Sequence, residues 1–148
     1  MDQVLIDTNL LIYAHDPSET RRHFRAIEVI EALIDGAAGL LSAQILGEFV
    51  SAATRGRRPI LTIAQALSQA ALLADAFPVL DVTKFIVLEA ARGVRQHRLS
   101  YWDAQIWATA RLNQIPTILT EDFESGRRLE GVQFLSPFQP EFDLARWR

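Results

Sequence analysis

Short apolar runs alternate with longer segments of helical period, and this alternation narrows most sharply what the chain can fold into. The runs are Val4-Leu5-Ile6, Leu40-Leu41-Ser42, Pro78 to Val82, Thr117-Ile118-Leu119 and Val132 to Leu135. Between them, Glu19 to Asp35, Ala43 to Thr54, Thr62 to Ala76, Thr83 to His97 and Ser100 to Asn113 each read as a helix, and Thr8 to Ala14 as a helical turn. In Glu19 to Asp35 the set Phe24, Ile27, Ile30 and Ile34 recurs at helical spacing until Gly36 stops it. A strand that is apolar along its whole length has both faces covered. The pattern therefore predicts an α/β fold with a parallel sheet between helices. Such sheets bind ligands beyond the carboxyl ends of their strands, beside a topological switch point.

The chain has 148 residues, enough for one domain, 1–148, with a full core. It has no cysteine, which excludes disulfides and a thiolate zinc site. The opening Met-Asp-Gln lacks the basic segment of a signal peptide, and Gln44 and Glu48 interrupt the most apolar stretch, Ala37 to Ala53. A cytoplasmic protein that makes no use of a membrane is expected. Net charge is −3, so the overall field does not mark a nucleic-acid binder. The basic set is nonetheless almost all arginine, with Lys84 the sole lysine, and arginine's planar fork suits phosphate. Arginines gather at Arg21/Arg22/Arg25, Arg55/Arg57/Arg58 and Arg127/Arg128. Each cluster equally suits a solvated face.

Four carboxylates sit where an apolar element ends or shows its apolar side: Asp7, Glu48, Asp103 and Asp122. Each has an ordinary alternative. Asp7 before Thr8-Asn9 has the form of a helix cap. Glu48 neighbours Ile45, Phe49 and Ala52 on its helix and can lie at the edge of their stripe. Ser100-Tyr101-Trp102-Asp103 has the form of a capping box. Asp122 can cap a turn ahead of Gly126, and Glu121 beside it is a rival ligand, although strand alternation aims the two apart. Together the four carry more weight. Asp7 and Asp122 fall just past strand ends, and Glu48 lies a little over one turn above the same edge. Ionised carboxylates about 5 Å apart repel by roughly 3 kcal/mol per pair at an effective dielectric of 20, so a convergent set calls for a cation. Hard oxygen ligands without thiolates or a histidine pair suit Mg²⁺ or Mn²⁺.

The segments Val4-Leu5-Ile6-Asp7-Thr8-Asn9, Gln44-Ile45-Leu46-Gly47-Glu48-Phe49, Ser100-Tyr101-Trp102-Asp103-Ala104 and Leu119-Thr120-Glu121-Asp122-Phe123 together resemble the PIN-domain nucleases. The likeness is greatest to the virulence-associated protein C toxins of type II toxin–antitoxin modules, and it runs on to Gly131 through Phe138. The resemblance implies a three-layer α/β/α sandwich around a five-stranded parallel sheet, and Mg²⁺- or Mn²⁺-dependent endoribonuclease activity. It places Asp7, Glu48, Asp103 and Asp122 on the family's four acidic positions, Asn9 on a polar position of the site and Thr120 on a hydroxyl position. Asp7 and Asp103 would anchor the principal metal, with Glu48 and Asp122 completing the set. Implied partners are RNA, a cognate antitoxin and a second copy of the chain. Arg55, Arg57 and Arg58 are the candidate phosphate-holding loop. The alternative is a metal-containing module of the same fold that binds RNA or an antitoxin without cleaving.

Overall fold

The computed structural model describes residues 2–148. Along the chain run β1 (Val4–Ile6), α1 (Thr8–His15), α2 (Thr20–Asp35), β2 (Gly39–Ser42), α3 (Ala43–Ala53), α4 (Ile63–Ala76), β3 (Val79–Leu80), α5 (Lys84–His97), α6 (Tyr101–Leu112), β4 (Thr117–Leu119), β5 (Arg128–Leu129), β6 (Val132–Leu135) and a closing 3-10 turn (Leu144–Trp147). The strands form one sheet in the order β3-β2-β1-β4-β6-β5. The first five of these pair in parallel, and β5 alone runs antiparallel, against β6. The helices flank this sheet as the alternation of apolar runs predicts.

The sixth strand is the departure from the predicted five. Arg128 and Leu129 are too short a run to register as a strand, and Glu130-Gly131 turn the chain back onto Val132. Both turn residues have positive φ, 47° and 85°, the backbone of a two-residue hairpin loop. Gly131 adopts this freely, whereas a glutamate there is uncommon. Glu130 is held in place by Arg92 at 2.9 Å and His97 at 2.7 Å, which pull its carboxyl below the usual range.

Side-chain caps begin every α-helix except α2: Asp7 for α1, Ser42 for α3, Thr83 for α5 and Ser100 for α6 each accept from a backbone N–H, and Thr62 and Gln65 form a reciprocal capping box on α4. On α2 the buried stripe is Ala26, Val29, Ile30, Ala32 and Leu33. It is rotated from the expected one: Phe24 and Ile34 stand exposed. Of the expected set only Ile30 is buried, and α2 packs chiefly against α1. On α4 only Ala66 and Leu73 are buried, leaving Ile63, Leu67 and Leu72 in solvent.

The aromatic tail docks on its own domain. Leu144 and Trp147 are buried, and Phe142 stacks on Trp147 with ring centroids 5.2 Å apart. Gly36, at the end of α2, makes this possible: a Cβ there would sit 2.0 Å from the Trp147 carbonyl oxygen. Gly36→Ala is therefore expected to cost about 1–3 kcal/mol, as overpacking does, and to lift the last turn. Trypsin cleavage after Arg146 and a red-shifted tryptophan component check this; an unchanged cleavage pattern and spectrum would count against it.

Candidate active site

The chain passes from β1 outward to β2 and β3, then returns to the other side of β1 to place β4, β6 and β5. The switch point therefore lies between β1 and β4, and a crevice opens beyond their carboxyl ends. Asp7 is the first residue after β1, and Thr120 the first after β4. They meet there: Thr120 Oγ1 donates to Asp7 Oδ2 at 2.7 Å. Thr8 N donates to Asp7 Oδ1, also at 2.7 Å. Asp7 is thus both the helix cap and a member of the crevice.

The other three acids reach the same rim by different routes. Glu48 lies on α3, whose first turn starts directly from β2. Asp103 lies in the first turn of α6, which leads through a short connection into β4. A helix feeding a parallel strand runs against it, so α6 begins at the edge where β4 ends. Ser100 Oγ accepts from Asp103 N at 3.3 Å, the forward bond of a capping box. Asp122 follows β4 by two residues beyond Thr120, and its N–H donates to Thr120 Oγ1 at 3.1 Å. Glu121 turns away, bonded by Tyr13 and paired with Arg22 at 3.1 Å, so Asp122 is the acid facing the crevice.

Asp7 and Asp122 carry the electrostatic signature of the crevice. Asp7 is 4% exposed and has no cationic side chain against it. Burial pushes its carboxyl up to about 7, opposed by the hydrogen bonds from Thr120 and Thr8 and reinforced by the charges of Asp122 and Glu48. The Asp122 carboxyl is also raised, first by its partial burial and then by the Asp103 charge, while Asn9 acts the other way. Asp7 thus feels Asp122 and Glu48, and Asp122 feels Asp103 and Glu48.

A network of neutral donors, which the sequence reading does not single out, holds Glu48. Gln44 Nε2 donates to Glu48 Oε1 at 2.9 Å and to the Trp102 carbonyl at 3.0 Å. Thr8 Oγ1 donates to Glu48 Oε2 at 2.8 Å. Behind them Gln105 Nε2 donates to Gln44 Oε1 at 2.9 Å, and the Tyr101 hydroxyl donates to Gln105 Oε1 at 2.8 Å. Two signals point to this network: Gln44 precedes Glu48 by one helical turn, and Gln105 is a polar residue in the otherwise apolar run Ala104 to Ala108.

Asn9 and the acids beside it supply the test of what the crevice can hold. Its Nδ2 donates to Thr120 Oγ1 at 3.3 Å, but its Oδ1 is buried without a hydrogen-bond partner. A buried acceptor left unsatisfied costs about 1–3 kcal/mol. It is the amide's NH₂ end that faces Thr120 and Asp122; the hard donors of the crevice are the carboxylates themselves, Asp7 and Asp122 above all, both raised by burial and by neighbouring acids, and these fit a hard divalent cation. Among the described residues, no group of three or more histidines or acids converges closely enough to hold a metal unaided. A cation here would take few protein oxygens and complete its shell with water, as Mg²⁺ commonly does.

Of the candidate arginines, Arg55 lines a groove of about 580 Å³ that runs from Thr8, Gln44 and Glu48 to Trp102. Arg57 and Arg58 stand exposed on the turn beyond it and do not line the groove.

Comparison with known proteins agrees with this geometry. The PIN domain family model matches residues 4–129. Among solved structures, the DNA-bound VapBC of Salmonella typhimurium superposes with a TM-score of 0.68 at 16% identity, covering 93% of this chain and 99% of that one. A toxin–antitoxin complex from Klebsiella pneumoniae gives 0.66 at 18% identity, covering 93% and 99%. VapC20 of Mycobacterium tuberculosis, described as a toxin that cleaves the sarcin–ricin loop, gives 0.65 at 21% identity, covering 81% and 90%. At such identities the likeness establishes a shared fold. No curated protein matches the sequence. The family match runs from β1 to β5 and so takes in the switch-point crevice with all four of its acids: the chain belongs to the PIN domain family.

Proposed function

We propose that residues 1–148 form a single nuclease domain, a Mg²⁺- or Mn²⁺-dependent endoribonuclease that serves as the toxin of a type II toxin–antitoxin module. The observation that carries this reading is the buried Asp7 carboxylate at the switch point, without a cationic partner among the described residues and raised further by the charges of Asp122 and Glu48. Asp7, Asp103, Glu48 and Asp122 would share the cation, directly or through water, with the Asn9 amide next to Thr120 and Asp122. When bound, the cation supplies charge neutralisation at the phosphoryl oxygens and acidifies water. The chain's own residues set the geometry around it. Thr120 and Thr8 fix the Asp7 carboxylate, and Gln44 and Thr8 fix that of Glu48. Glu48 is thereby positioned to orient an attacking water and take its proton.

Hydrolysis of this kind leaves a 5′-phosphate and a 3′-hydroxyl. Purified protein is expected to cut RNA only with a divalent ion present, to stop on chelation and to recover when Mg²⁺ or Mn²⁺ is restored. Sequencing the RNA ends checks the chemistry, and 2′,3′-cyclic phosphate ends, or cleavage that survives chelation, would remove the metal-dependent reading.

Arg55, in the groove, is the phosphate contact this reading favours. Replacing it with alanine is expected to reduce the slope of log affinity against log salt for single-stranded RNA by about 0.7. An unchanged slope would take Arg55 out of the interface.

The partners belong to the same reading. Complexes among the similar structures support an antitoxin. The exposed Ile63 and Leu67, one turn apart on α4, offer an apolar face for a second copy of the chain. No helix among the described residues is long and apolar enough to cross a membrane, and the cytoplasm is the proposed location.

A further inference from the structure

The three tryptophans divide sharply. Trp107 is fully buried and Trp147 is 4% exposed, whereas Trp102 is 61% exposed. An indole left that open in water gives up much of the stabilisation that burial supplies, so its position calls for an account. It adjoins Asp103 in the first turn of α6 and lines the groove that also holds Glu48 and Arg55. Its backbone is anchored independently of its ring, because its carbonyl accepts from Gln44 Nε2. It makes a T-shaped pair with the Tyr101 ring, centroids 5.1 Å apart at 82°, and still leaves most of its surface open.

We propose that Trp102 is a stacking platform for a nucleobase of single-stranded RNA next to the cleaved phosphate, with Arg55 holding the backbone further along the groove. This rests on the nuclease reading and adds to it the residue that selects an unpaired strand. Three features of the groove favour a nucleic acid over an apolar protein segment. Arg55 lies in it with no ion-pair partner among the described residues. Gln44, Gln105, Thr8 and Ser51 give it polar lining. Its acidic end is the crevice where the phosphodiester must lie. An aromatic ring, a cation and a cleavage centre in one groove match the way single strands are held, by stacking that tolerates any base together with charge along the backbone. A duplex keeps its bases stacked on each other and cannot offer one to the ring.

Trp102 is also its own reporter, since the other two indoles are shielded. The probes are short oligoadenylate and oligouridylate single strands and a matched RNA duplex, titrated into Asp7→Asn protein so that nothing is cut. Both single strands are expected to quench tryptophan emission, and the duplex is not. Trp102→Ala should abolish the quenching and weaken single-strand binding about tenfold or more, while Trp102→Phe restores most of the affinity. Single strands that bind without quenching, or bind Trp102→Ala equally well, would overturn the proposal. So would Trp102 emission that changes on dilution or on adding a purified antitoxin but not with RNA, because the ring would then serve a protein interface. Cleavage by the wild-type protein, assayed alongside, separates the two claims. Cutting without quenching sinks the stacking platform alone; quenching without cutting under any divalent ion keeps the platform and sinks the nuclease reading.

Discussion

Asp7→Asn should silence cleavage and, in metal-free protein, make the fold more resistant to denaturant at alkaline pH. The first effect follows from losing the buried carboxylate at the centre of the crevice. A metal's charge stabilisation is worth several kcal/mol in such reactions, and each 1.4 kcal/mol or so is tenfold in rate. A fall of at least about two to three orders of magnitude is expected. The second effect follows from the carboxyl's raised titration, from 3.8 to about 7. Between those values the folded state keeps a proton that the unfolded chain has released. Metal-free wild-type protein therefore loses stability as pH climbs from about 4 to about 7, and above that it carries the whole deficit, on the order of 4 kcal/mol. The asparagine variant has no such proton to lose at this position. Urea denaturation in chelator at pH 5 and pH 8 should show the wild type weakening and the variant changing far less. Adding Mg²⁺ or Mn²⁺ should then stabilise the wild type much more than the variant. A variant that still cuts RNA, or a wild type whose stability ignores pH over this range, would show that Asp7 is not the buried charge described here.

Trp107→Ala is expected to be the most damaging change to the fold itself, at about 3–5 kcal/mol. That is a large part of the 5–15 kcal/mol typical of a domain. The ring is fully buried, and its Nε1 donates to the Leu129 carbonyl at 3.2 Å, tying α6 to the β5–β6 hairpin. On its other side α5 comes close enough that a Cβ at Gly93 would lie 2.7 Å from the ring. His97 meets the ring edge at 5.3 Å, and the Arg92 guanidinium lies 5.6 Å from its centroid. No alanine fills that space, and the Leu129 carbonyl loses its donor. Equilibrium urea unfolding measures the loss directly; a cost below about 1 kcal/mol would mean that the α5–α6 interface closes without the indole.

The sheet was readable because a parallel strand buried on both faces can tolerate only apolar residues, so β1, β2, β4 and β6 announce themselves. Asp7 is legible for the same reason, as a charge placed straight after such a run, whereas Asp122 lies three residues past its run and is separated from its rival Glu121 only by the fold. β5 is not legible. It is two residues long, and its turn uses a glutamate at positive φ, held there by Arg92 and His97 from α5. The rotation of the α2 stripe is not legible, because apolar residues lie on both candidate faces, Phe24 and Ile34 on one and Ala26, Val29 and Leu33 on the other, and only the packing against α1 selects between them. Within the site the acids stood out by charge. The amides that orient Glu48 did not: Gln44 and Gln105 are 61 residues apart and neutral, and only the folded chain brings them together.

Glu48 is a side chain with many rotamers, and an unrestrained glutamate loses about 1.5–2 kcal/mol of rotamer freedom when it is fixed. Here the line of donors from the Tyr101 hydroxyl through Gln105 and Gln44, met by Thr8 from the other side, fixes it during folding. Because Gln44 uses its carbonyl to receive Gln105, only its NH₂ can face the carboxylate, so every link in the line points one way. On the nuclease reading proposed above, binding and turnover would then start from a carboxylate that has already stopped searching. Shortening any one amide would return that search to each encounter with substrate, leaving the acid present but late.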